Sequence, residues 1–247
     1  MNIVGIIPAR YASTRFPGKP LALIGGKPMI QHVCERVIRI ASLSSVLVAT
    51  DDKRIFDTVV NFGGKAVMTS ELHKSGTDRC GEVVKKLLAQ GIHPDVVINI
   101  QGDEPFVEHT QIESLTNCFN DKSVQIATLK KKITSRQELL SPNVVKVITD
   151  INNNALYFSR FPLPFQRGKE QDSWLENHAY YKHIGIYAYR TDILLKLIEL
   201  RQSGLEICES LEQLRWLENG YEIRVAETDH ENIAIDTPED LLKLKNI

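Results

Sequence analysis

The sequence lacks the features of a membrane, secreted or nucleic-acid-binding protein. No apolar run reaches the length of a membrane span, and the chain opens on a strand-like run without the regions of a cleavable leader. The four cysteines stand far apart and form no C-x-x-C pair, which is typical of free thiols in a reducing cytosol. The net charge of -1 argues against a general nucleic-acid binder. We therefore expect a cytoplasmic protein with no nucleic-acid or membrane partner.

Several nucleotide-binding motifs are missing as well. The chain contains neither the G-x-x-x-x-G-K-[ST] phosphate loop nor the G-x-G-x-x-G dinucleotide fingerprint. It also has no D-x-D string, which metal-dependent glycosyltransferases normally carry, and no repeats or low-complexity tracts. Any nucleotide site in this chain must therefore be built differently.

What the chain does contain is an ordinary globular composition, 247 residues with 43% hydrophobic and 25% charged. In the first half, short apolar strands alternate with amphipathic helices. We expect strands over residues 3–7, 46–49, 66–68, 95–100 and 124–129. We expect helices from Lys27-Pro28 and over residues 53–62, 80–90 and 110–119, the third capped by Thr77 or Asp78. This alternation predicts a mostly parallel α/β sheet that binds ligands beyond the carboxyl ends of its strands.

The second half differs in character. Strand-like segments at 143–150, 155–159 and 181–189 have few helices between them and predict an antiparallel insertion, approximately residues 130–190, within a single domain of 1–247. The insertion would form the pocket for a second substrate and a possible dimer surface. Residues 130–132 are expected to be a solvated edge, and residues 161–168 an ordered Pro-rich loop. Helices at 191–203 and 209–219, a strand at 221–226 and a helix from Pro238 complete the chain.

The stretch after the first strand, IIPARYASTRFPGKPL at residues 6–21, carries the strongest chemical signal. Arg10, Arg15 and Lys19 are separated by small or turn-forming residues. Small residues let backbone N–H groups converge, and three long cations suit a polyphosphate better than a single phosphate. A basic loop after a strand is also common as a plain solvated turn.

Two further strings follow strands or begin helices. Asp103, in QGDEP, comes after a buried strand, where a carboxylate beside a polyphosphate is a natural Mg²⁺ ligand, although D-E-P is also ordinary turn composition. Gln101 is a candidate partner for substrate hydroxyls. The segment HKSGTDR at residues 73–79 begins a helix. From the residues alone it is a capped helix start, although its exposed backbone and the Thr77 hydroxyl offer both hydrogen-bond donors and acceptors.

These strings occur in one order with ALYFSR, HIGIYAYR, ESLEQLR and IDTPED. Together they resemble the sugar-activating nucleotidyltransferases, and in particular the family of 3-deoxy-manno-octulosonate (Kdo) cytidylyltransferases. The resemblance covers nearly the whole chain. It implies a Rossmann-like nucleotidyltransferase fold, the joining of CTP and Kdo to give CMP-Kdo and diphosphate, and the activation of Kdo for lipopolysaccharide biosynthesis. It also implies Mg²⁺ as cofactor and a homodimer.

The resemblance assigns roles to residues of this chain. The catalytic residues would be Arg10, Arg15, Lys19 and Asp103. The nucleotide would be bound by Ala9, Arg10, Ser13, Lys19, Ser75, Gly76, Thr77 and Arg79. The sugar would be bound by Arg15, Gln101, Arg160, His183, Tyr187, Glu212 and Gln213. The metal ligands would be Asp103 and Asp236.

Other interpretations stay open at this point. From the residues alone, Tyr187 suits a core position, Glu212 and Gln213 a solvated helix face, and Asp236 a helix N-cap. The acceptor could be another acidic sugar, such as 8-amino-Kdo or sialic acid, and the methylerythritol-phosphate cytidylyltransferases share the fold. In a different class, the chain could be a nucleotide-binding regulatory protein without turnover.

Overall fold

The computed structural model describes residues 1–12, 16–231, 235 and 237–244. Its strands are β1 Ile3–Ala9, β2 Leu23–Ile24, β3 Lys27–Pro28, β4 Ser45–Thr50, β5 Ala66–Met68, β6 Val96–Asn99, β7 Ile126–Lys132, β8 Lys146–Thr149, β9 Ala155–Ser159, β10 Tyr181–Arg190 and β11 Ile223–Glu227. Its helices are α1 Met29–Val37, α2 Lys53–Asn61, α3 Gly76–Ala89, α4 His109–Cys118, α5 Arg136–Leu140, α6 Trp174–Asn177, α7 Thr191–Leu197, α8 Gly204–Glu209, α9 Glu212–Glu218 and α10 Pro238–Leu244, with 3₁₀ turns at Lys19–Leu21 and Gln171–Ser173.

The chain falls into two compact units. The first unit comprises residues 1–113 and 188–198 and the described residues from 235 onward. The second unit comprises residues 114–187 and 199–231. Among the described residues, none of the helices is long and apolar enough to cross a bilayer.

The first unit contains a parallel sheet, as the alternation of strands and helices predicts. β1 lies between β6 and β4, and β5 pairs with the far side of β4. The apolar residues of β1 are almost completely buried, which is the pattern of a central parallel strand. Ile6 of β1 pairs with Asn99 of β6, so the two strands end at the same edge of the sheet.

The start of α3 differs from the prediction. The helix begins at Gly76, and its N-cap is Ser75 rather than Thr77 or Asp78. The Ser75 hydroxyl accepts a hydrogen bond from the Asp78 N–H at 3.1 Å, and the Asp78 carboxylate accepts one from the Ser75 N–H at 3.2 Å. Because this reciprocal capping box satisfies N–H groups of the first turn, the helix can begin before the apolar run that marks it in the sequence.

The second unit contains the predicted antiparallel strands. β8 pairs antiparallel with both β9 and β10, whereas β7 pairs in parallel with β11. The described residues therefore form an α/β fold with a mostly parallel sheet and a small antiparallel addition, as predicted.

The prediction of a solvated edge at residues 130–132 is wrong for Lys130. This side chain is buried in β7, a strand flanked by β11 and β10. Its ammonium donates hydrogen bonds to Thr149 Oγ1 and Asn153 Oδ1, both at 3.1 Å, and lies 4.6 Å from the centroid of the Tyr181 ring. A buried lysine is tolerated when such partners satisfy it, and a run of three lysines does not reveal them.

The two predicted late helices are also shorter than expected. α7 ends at Leu197, and the segment 209–219 is broken by Ser210, whose φ of 53° is left-handed. α8 ends at Glu209 and α9 begins at Glu212. A left-handed serine is costly by itself, and the Arg160 Nε donates a hydrogen bond to the Glu209 carbonyl at 2.7 Å, just before it. The break between α8 and α9 is therefore accompanied by a hydrogen bond from a distant segment, which the local sequence pattern does not show.

Candidate active site

A cavity of about 270 Å³ opens in the first unit at the carboxyl ends of β1 and β6. Its walls come from the segments that follow these two strands, from the 3₁₀ turn at Lys19–Leu21 and from the start of α3. The lining residues are Pro8, Ala9, Arg10, Lys19, Pro20, His73, Lys74, Ser75, Gly76, Arg79, Gln101, Gly102 and Asp103. Most of the predicted nucleotide-binding residues are therefore brought together in one place.

Gly102 allows the two strand ends to meet. A Cβ atom at this position would lie 2.7 Å from the Pro8 carbonyl oxygen, closer than real contacts permit. The backbone after β6 can pack directly against the end of β1 only because residue 102 has no side chain. This close approach sets Ala9 and Arg10 beside Gln101 and Asp103.

The start of α3 forms another wall. Ser75 and Gly76 line the cavity at the N-terminus of this helix, where the helix dipole favours a negatively charged ligand. Thr77 is also predicted to bind the nucleotide, but its side chain is buried and does not line the cavity.

Arg79 lines the cavity and is bound by neighbouring side chains. Its guanidinium donates to the Asp51 carboxylate at 2.7 Å and to Thr69 Oγ1 at 2.5 Å, and the residue is buried. The ion pair joins α3 to the segment after β4. Arg79 is thus committed to protein partners at the edge of the cavity, a role that the S-G-T-D-R string alone does not reveal.

Lys19 and Asp103 form an ion pair inside the cavity. Lys19 Nζ lies 2.6 Å from Asp103 Oδ2, and both side chains are partly buried. The backbone of Asp103 is fixed as well, because its carbonyl accepts a hydrogen bond from the N–H of the buried Ile235 at 3.0 Å. Three other predicted site residues, Ser13, Arg15 and Asp236, lie outside the described residues.

His73 is a lining residue that the sequence interpretation missed. Its Nε2 lies 2.5 Å from the Glu82 carboxylate, which also accepts the Ser70 N–H at 2.8 Å and pairs with Lys86. Burial alone would raise the pKa of Glu82, but hydrogen bonds from Lys86, the Ser70 backbone and His73 lower it to about 2. The carboxylate is therefore ionised and holds His73 at the cavity wall. The sequence feature that could have identified His73 as a lining residue is its position beside Lys74 in HKSGTDR.

The charges of the cavity favour an anion. Arg10, Lys19, Lys74 and Arg79 are cationic lining residues. Asp103 pairs with Lys19 and Asp51 pairs with Arg79, so the net positive charge comes from Arg10 and Lys74. A chain with a net charge of -1 thus concentrates positive charge at one sheet edge. With a helix N-terminus beside it, this arrangement can hold several phosphate groups.

The predicted sugar-binding residues lie in the second unit, apart from Arg15 and Gln101. His183 and Tyr187 alternate on β10 with Gly185 between them, so the three share one face of the strand. The rings of His183 and Tyr187 are 5.2 Å apart, and Tyr187 also contacts Trp216 at 5.0 Å. Burial lowers the pKa of His183 to about 3, so its imidazole is neutral at pH 7. Tyr187 is buried, as its alternating position suggests.

Arg160 is held by backbone carbonyls and by Glu209. Its Nη1 donates to the Pro142 carbonyl at 3.0 Å, in addition to the bond from Nε to Glu209. The Glu209 carboxylate accepts the Arg160 N–H at 2.8 Å and the Ser159 hydroxyl at 2.7 Å. The buried Lys146 completes the cluster, because its ammonium donates to the carbonyls of Arg160, Ser141 and Val144. Burial lowers the pKa of Lys146 to about 8.

Glu212 and Gln213 begin α9. Gln213 is buried and Glu212 is half-buried, so the interpretation of both as a solvated face is wrong. Trp216, which contacts Tyr187, lies one turn further along the same helix. Gln213 and Trp216 therefore lie on one face of α9, and Trp216 links this face to Tyr187.

Comparison with known proteins identifies the class of protein. The sequence model of the cytidylyltransferase family matches residues 4–227. The chain belongs to this family.

Its relatives within the family point to one enzyme. The chain is 56% identical to the 3-deoxy-manno-octulosonate cytidylyltransferase of Parabacteroides distasonis, over 98% of this chain and 96% of the relative. It is 51% identical to the enzyme of the same name from Geobacter sulfurreducens, over 99% and 98%. The resemblance drawn from the sequence motifs is confirmed.

Solved structures agree with these relatives. The chain matches a CMP:2-keto-3-deoxy-manno-octonic acid synthetase complexed with CTP, with a TM-score of 0.91, 44% identity and coverage of 100% and 98%. It also matches the 4-diphosphocytidyl-2C-methyl-D-erythritol synthase of Anaerococcus prevotii, with a TM-score of 0.63, 16% identity and coverage of 99% and 97%. The second likeness concerns the fold alone, and together they confirm the predicted nucleotidyltransferase fold.

Proposed function

We propose that this chain is a 3-deoxy-manno-octulosonate cytidylyltransferase, which joins CTP and Kdo to give CMP-Kdo and diphosphate and so activates Kdo for lipopolysaccharide biosynthesis. The observation that carries the proposal is about half identity, over nearly the whole chain, to curated relatives of that name. The cationic cavity at the sheet edge is the feature of this chain that suits a nucleoside triphosphate.

The reaction needs positioning and charge neutralisation more than covalent help. The anomeric hydroxyl of Kdo attacks the α-phosphorus in line with the departing diphosphate, and the new C–O–P bond forms as the bond to diphosphate breaks, while the hydroxyl proton passes to water. In this proposal Arg10, Arg15 and Lys19 stabilise the negative charge that grows on the diphosphate. Ala9, Ser13 and Arg79 complete the walls around the nucleotide.

We assign cytosine recognition to the start of α3. Cytosine presents an amine donor together with carbonyl and ring-nitrogen acceptors. Ser75 and Gly76 line the cavity, and because the Ser75 N–H already donates to Asp78, we assign the donor role to the Gly76 N–H and the acceptor role to the Ser75 carbonyl. Thr77, the next residue of this helix turn, is buried.

Mg²⁺ is the proposed cofactor, with Asp103 and Asp236 as ligands. The Asp103 carboxylate already binds a cationic group, Lys19 Nζ at 2.6 Å, so its position suits a cation. The residue before Asp236 is hydrogen-bonded to the Asp103 backbone. Within the described ranges no cluster of three or more metal-binding side chains exists, and Mg²⁺ commonly takes one or two carboxylates plus phosphate oxygens. When bound, it would neutralise phosphate charge and polarise the attacking hydroxyl.

Kdo recognition is proposed to involve Gln101, Arg15 and the second unit. The face of β10 that carries His183 and Tyr187 has open space at Gly185, where a Cβ atom would meet nothing within 4 Å. A neutral His183 can serve there as a hydrogen-bond partner for sugar hydroxyls. We assign Arg160, Glu212 and Gln213 to the same substrate, with Arg160 facing its carboxylate.

We further propose a cytoplasmic homodimer. All four cysteines are free, which suits a reducing compartment. Phe161 and Phe165 in the Pro-rich loop and Leu156 on β9 are each more than half exposed, and their burial in a second copy is the proposed dimer contact. Sedimentation equilibrium of the wild type and of Phe165→Ser tests this proposal; a monomeric wild type contradicts it.

A substrate panel tests the function. CTP, UTP and ATP are each combined with Kdo, 8-amino-Kdo and sialic acid in the presence of Mg²⁺, and diphosphate release is measured. We expect release with CTP and Kdo, and much less with UTP, because a site that pairs with the cytosine amine is left mismatched by the uracil carbonyl. Preference for another acidic sugar changes the acceptor. No diphosphate with any pair would favour a regulatory protein without turnover.

A further inference from the structure

Tyr11 lies close both to Gly18, in the stretch that follows β1, and to Arg54 of α2. The edge of its ring lies close to Gly18, and the Arg54 guanidinium carbon lies 3.4 Å from the ring centroid. Tyr11 directly follows Arg10, and Gly18 directly precedes Lys19. Tyr11 and Gly18 therefore directly adjoin the two cavity-lining pairs Ala9-Arg10 and Lys19-Pro20.

Gly18 lies so close to the Tyr11 ring that a side chain at this position would crowd it. Its φ of +71° is left-handed, and a Cβ atom there would lie 3.0–3.1 Å from three atoms of Tyr11. The Gly18 N–H donates a hydrogen bond to the Tyr11 carbonyl at 2.9 Å, which ties the two residues together through the backbone as well. Gly18 is also the N-cap of the 3₁₀ turn that contains Lys19. The ring therefore lies against the residue that immediately precedes Lys19.

Arg54 is itself fixed. Its Nε and Nη2 donate to the two oxygens of Asp52 at 2.9 and 2.6 Å, a forked pair that orients the plane of the guanidinium. Asp52 in turn is the N-cap of α2, because it accepts the Arg54 N–H at 2.9 Å. The guanidinium is therefore anchored to the start of a helix, outside the cavity.

We infer that Tyr11 and Arg54 form a clamp that positions Arg10 and Lys19 for the phosphates of CTP. Arg54 does not line the cavity, so it acts through Tyr11 as a positioning residue. Side chains that are held in place before binding lose less conformational freedom when the triphosphate arrives. The inference rests on the proposed function, in which this loop binds the triphosphate.

The test compares Arg54→Ala with Lys53→Ala. Lys53 is the neighbouring cation on the same helix turn and pairs with Asp57 at 2.7 Å, so it is a matched control. We expect Arg54→Ala to raise the KM for CTP about two- to fivefold, the range of an exposed cation–π contact, with the KM for Kdo unchanged. Lys53→Ala leaves both constants unchanged. Arg54→Lys keeps a cation over the ring but loses the fork, and restores part of the affinity.

A double-mutant cycle separates the clamp from general destabilisation. In the background of Tyr11→Leu, which removes the ring face, Arg54→Ala has no further effect on the KM for CTP. Equal effects of Arg54→Ala in both backgrounds, or an unchanged KM for CTP in the single variant, overturn the inference.

Calorimetric titration with CTP and Mg²⁺, without Kdo, distinguishes failure of the clamp from failure of the function. If the wild type binds CTP and Lys19→Ala weakens binding while Arg54→Ala does not, the clamp is wrong and the proposed function stands. If the wild type does not bind CTP, the proposed function is wrong and the clamp falls with it.

Discussion

Lys19 and Asp103 have opposite charges and separate proposed roles, yet the structure joins them in one ion pair. Lys19 is assigned to the phosphates and Asp103 to Mg²⁺. Arrival of the metal with its triphosphate would therefore give each of them a new partner: the carboxylate takes the metal, and the ammonium turns to a phosphate. For these single residues, the ion pair holds both side chains in the cavity before substrate binds.

The first prediction concerns Asp103→Asn. The amide keeps the shape of the side chain but loses the charge that holds a cation, so we expect kcat to fall by about two orders of magnitude or more, with little change in thermal stability. Steady-state rates of diphosphate release measure the effect. Asp57→Asn, a change to an exposed ion-paired carboxylate, is the control. Turnover within about threefold of the wild type would show that Asp103 is no ligand.

The second prediction concerns the pKa of His183. Burial lowers this pKa from its ordinary value to about 3, so the unfolded state binds the proton more readily between pH 6.5 and pH 3. Stability is therefore fully present above about pH 6.5 and is lost as the pH falls, by up to about 1.4 kcal/mol per pH unit. Urea unfolding of the wild type and of His183→Gln from pH 7.5 to pH 5 measures it. Equal slopes for both proteins contradict the prediction.

At the scale of elements, α3 serves stability and the site at once, because one serine both caps the helix and lines the cavity. The third prediction separates these roles with two serine caps. Ser75→Ala and Ser135→Ala each remove a hydroxyl that accepts a backbone N–H at the start of a helix, α3 and α5 respectively.

Each substitution is expected to cost about 1 kcal/mol, which lowers the melting temperature by about 2–4 °C for a chain of this size. Only Ser75→Ala is expected to raise the KM for CTP as well, because Ser135 is not among the residues that line the cavity. Calorimetric melting curves and CTP titrations check both parts. An equal rise in the KM for CTP in both variants would mean that the effect reports stability, not recognition.

The elements that sequence could predict are those whose signals are local. The parallel strands of the first unit follow from apolar runs, and α2 lies within the helix expected over residues 53–62. The break at Ser210 could not be predicted, because no glycine or proline marks it and a hydrogen bond from the distant Arg160 holds it. Lys130 was misplaced for the same reason, since its partners come from the β8–β9 region.

For the whole molecule, the sequence could predict which segments supply the cavity, because strands that run parallel end at one edge. The strings after β1 and β6 and at the start of α3 do line one cavity. The protein partners that the cavity-lining residues bind could not be predicted. Arg79 is bound to Asp51, and His73 to Glu82, through contacts between segments that no single string contains.

The last prediction follows from the proposal that residues of the first unit bind the triphosphate and residues of the second unit bind Kdo. Lys19 lines the cavity of the first unit and is assigned to the triphosphate, whereas Arg160 belongs to the second unit and is assigned to Kdo. Arg160→Lys keeps the charge but loses the planar fork, both toward a carboxylate and toward the carbonyls of Glu209 and Pro142. We therefore expect it to raise the KM for Kdo and to leave the KM for CTP nearly unchanged.

Lys19→Ala is expected to behave differently. In the proposed function it removes positive charge that would stabilise the departing diphosphate, so we expect kcat to fall more than the KM for Kdo rises. A two-substrate kinetic matrix at saturating Mg²⁺ measures both variants against the wild type. Arg136→Lys is the control, because Arg136 is an exposed arginine of the second unit whose Nε pairs with Asp172 at 2.8 Å. If Arg160→Lys weakens CTP and spares Kdo, the second unit does not hold the sugar, because a change confined to it would then act on the nucleotide.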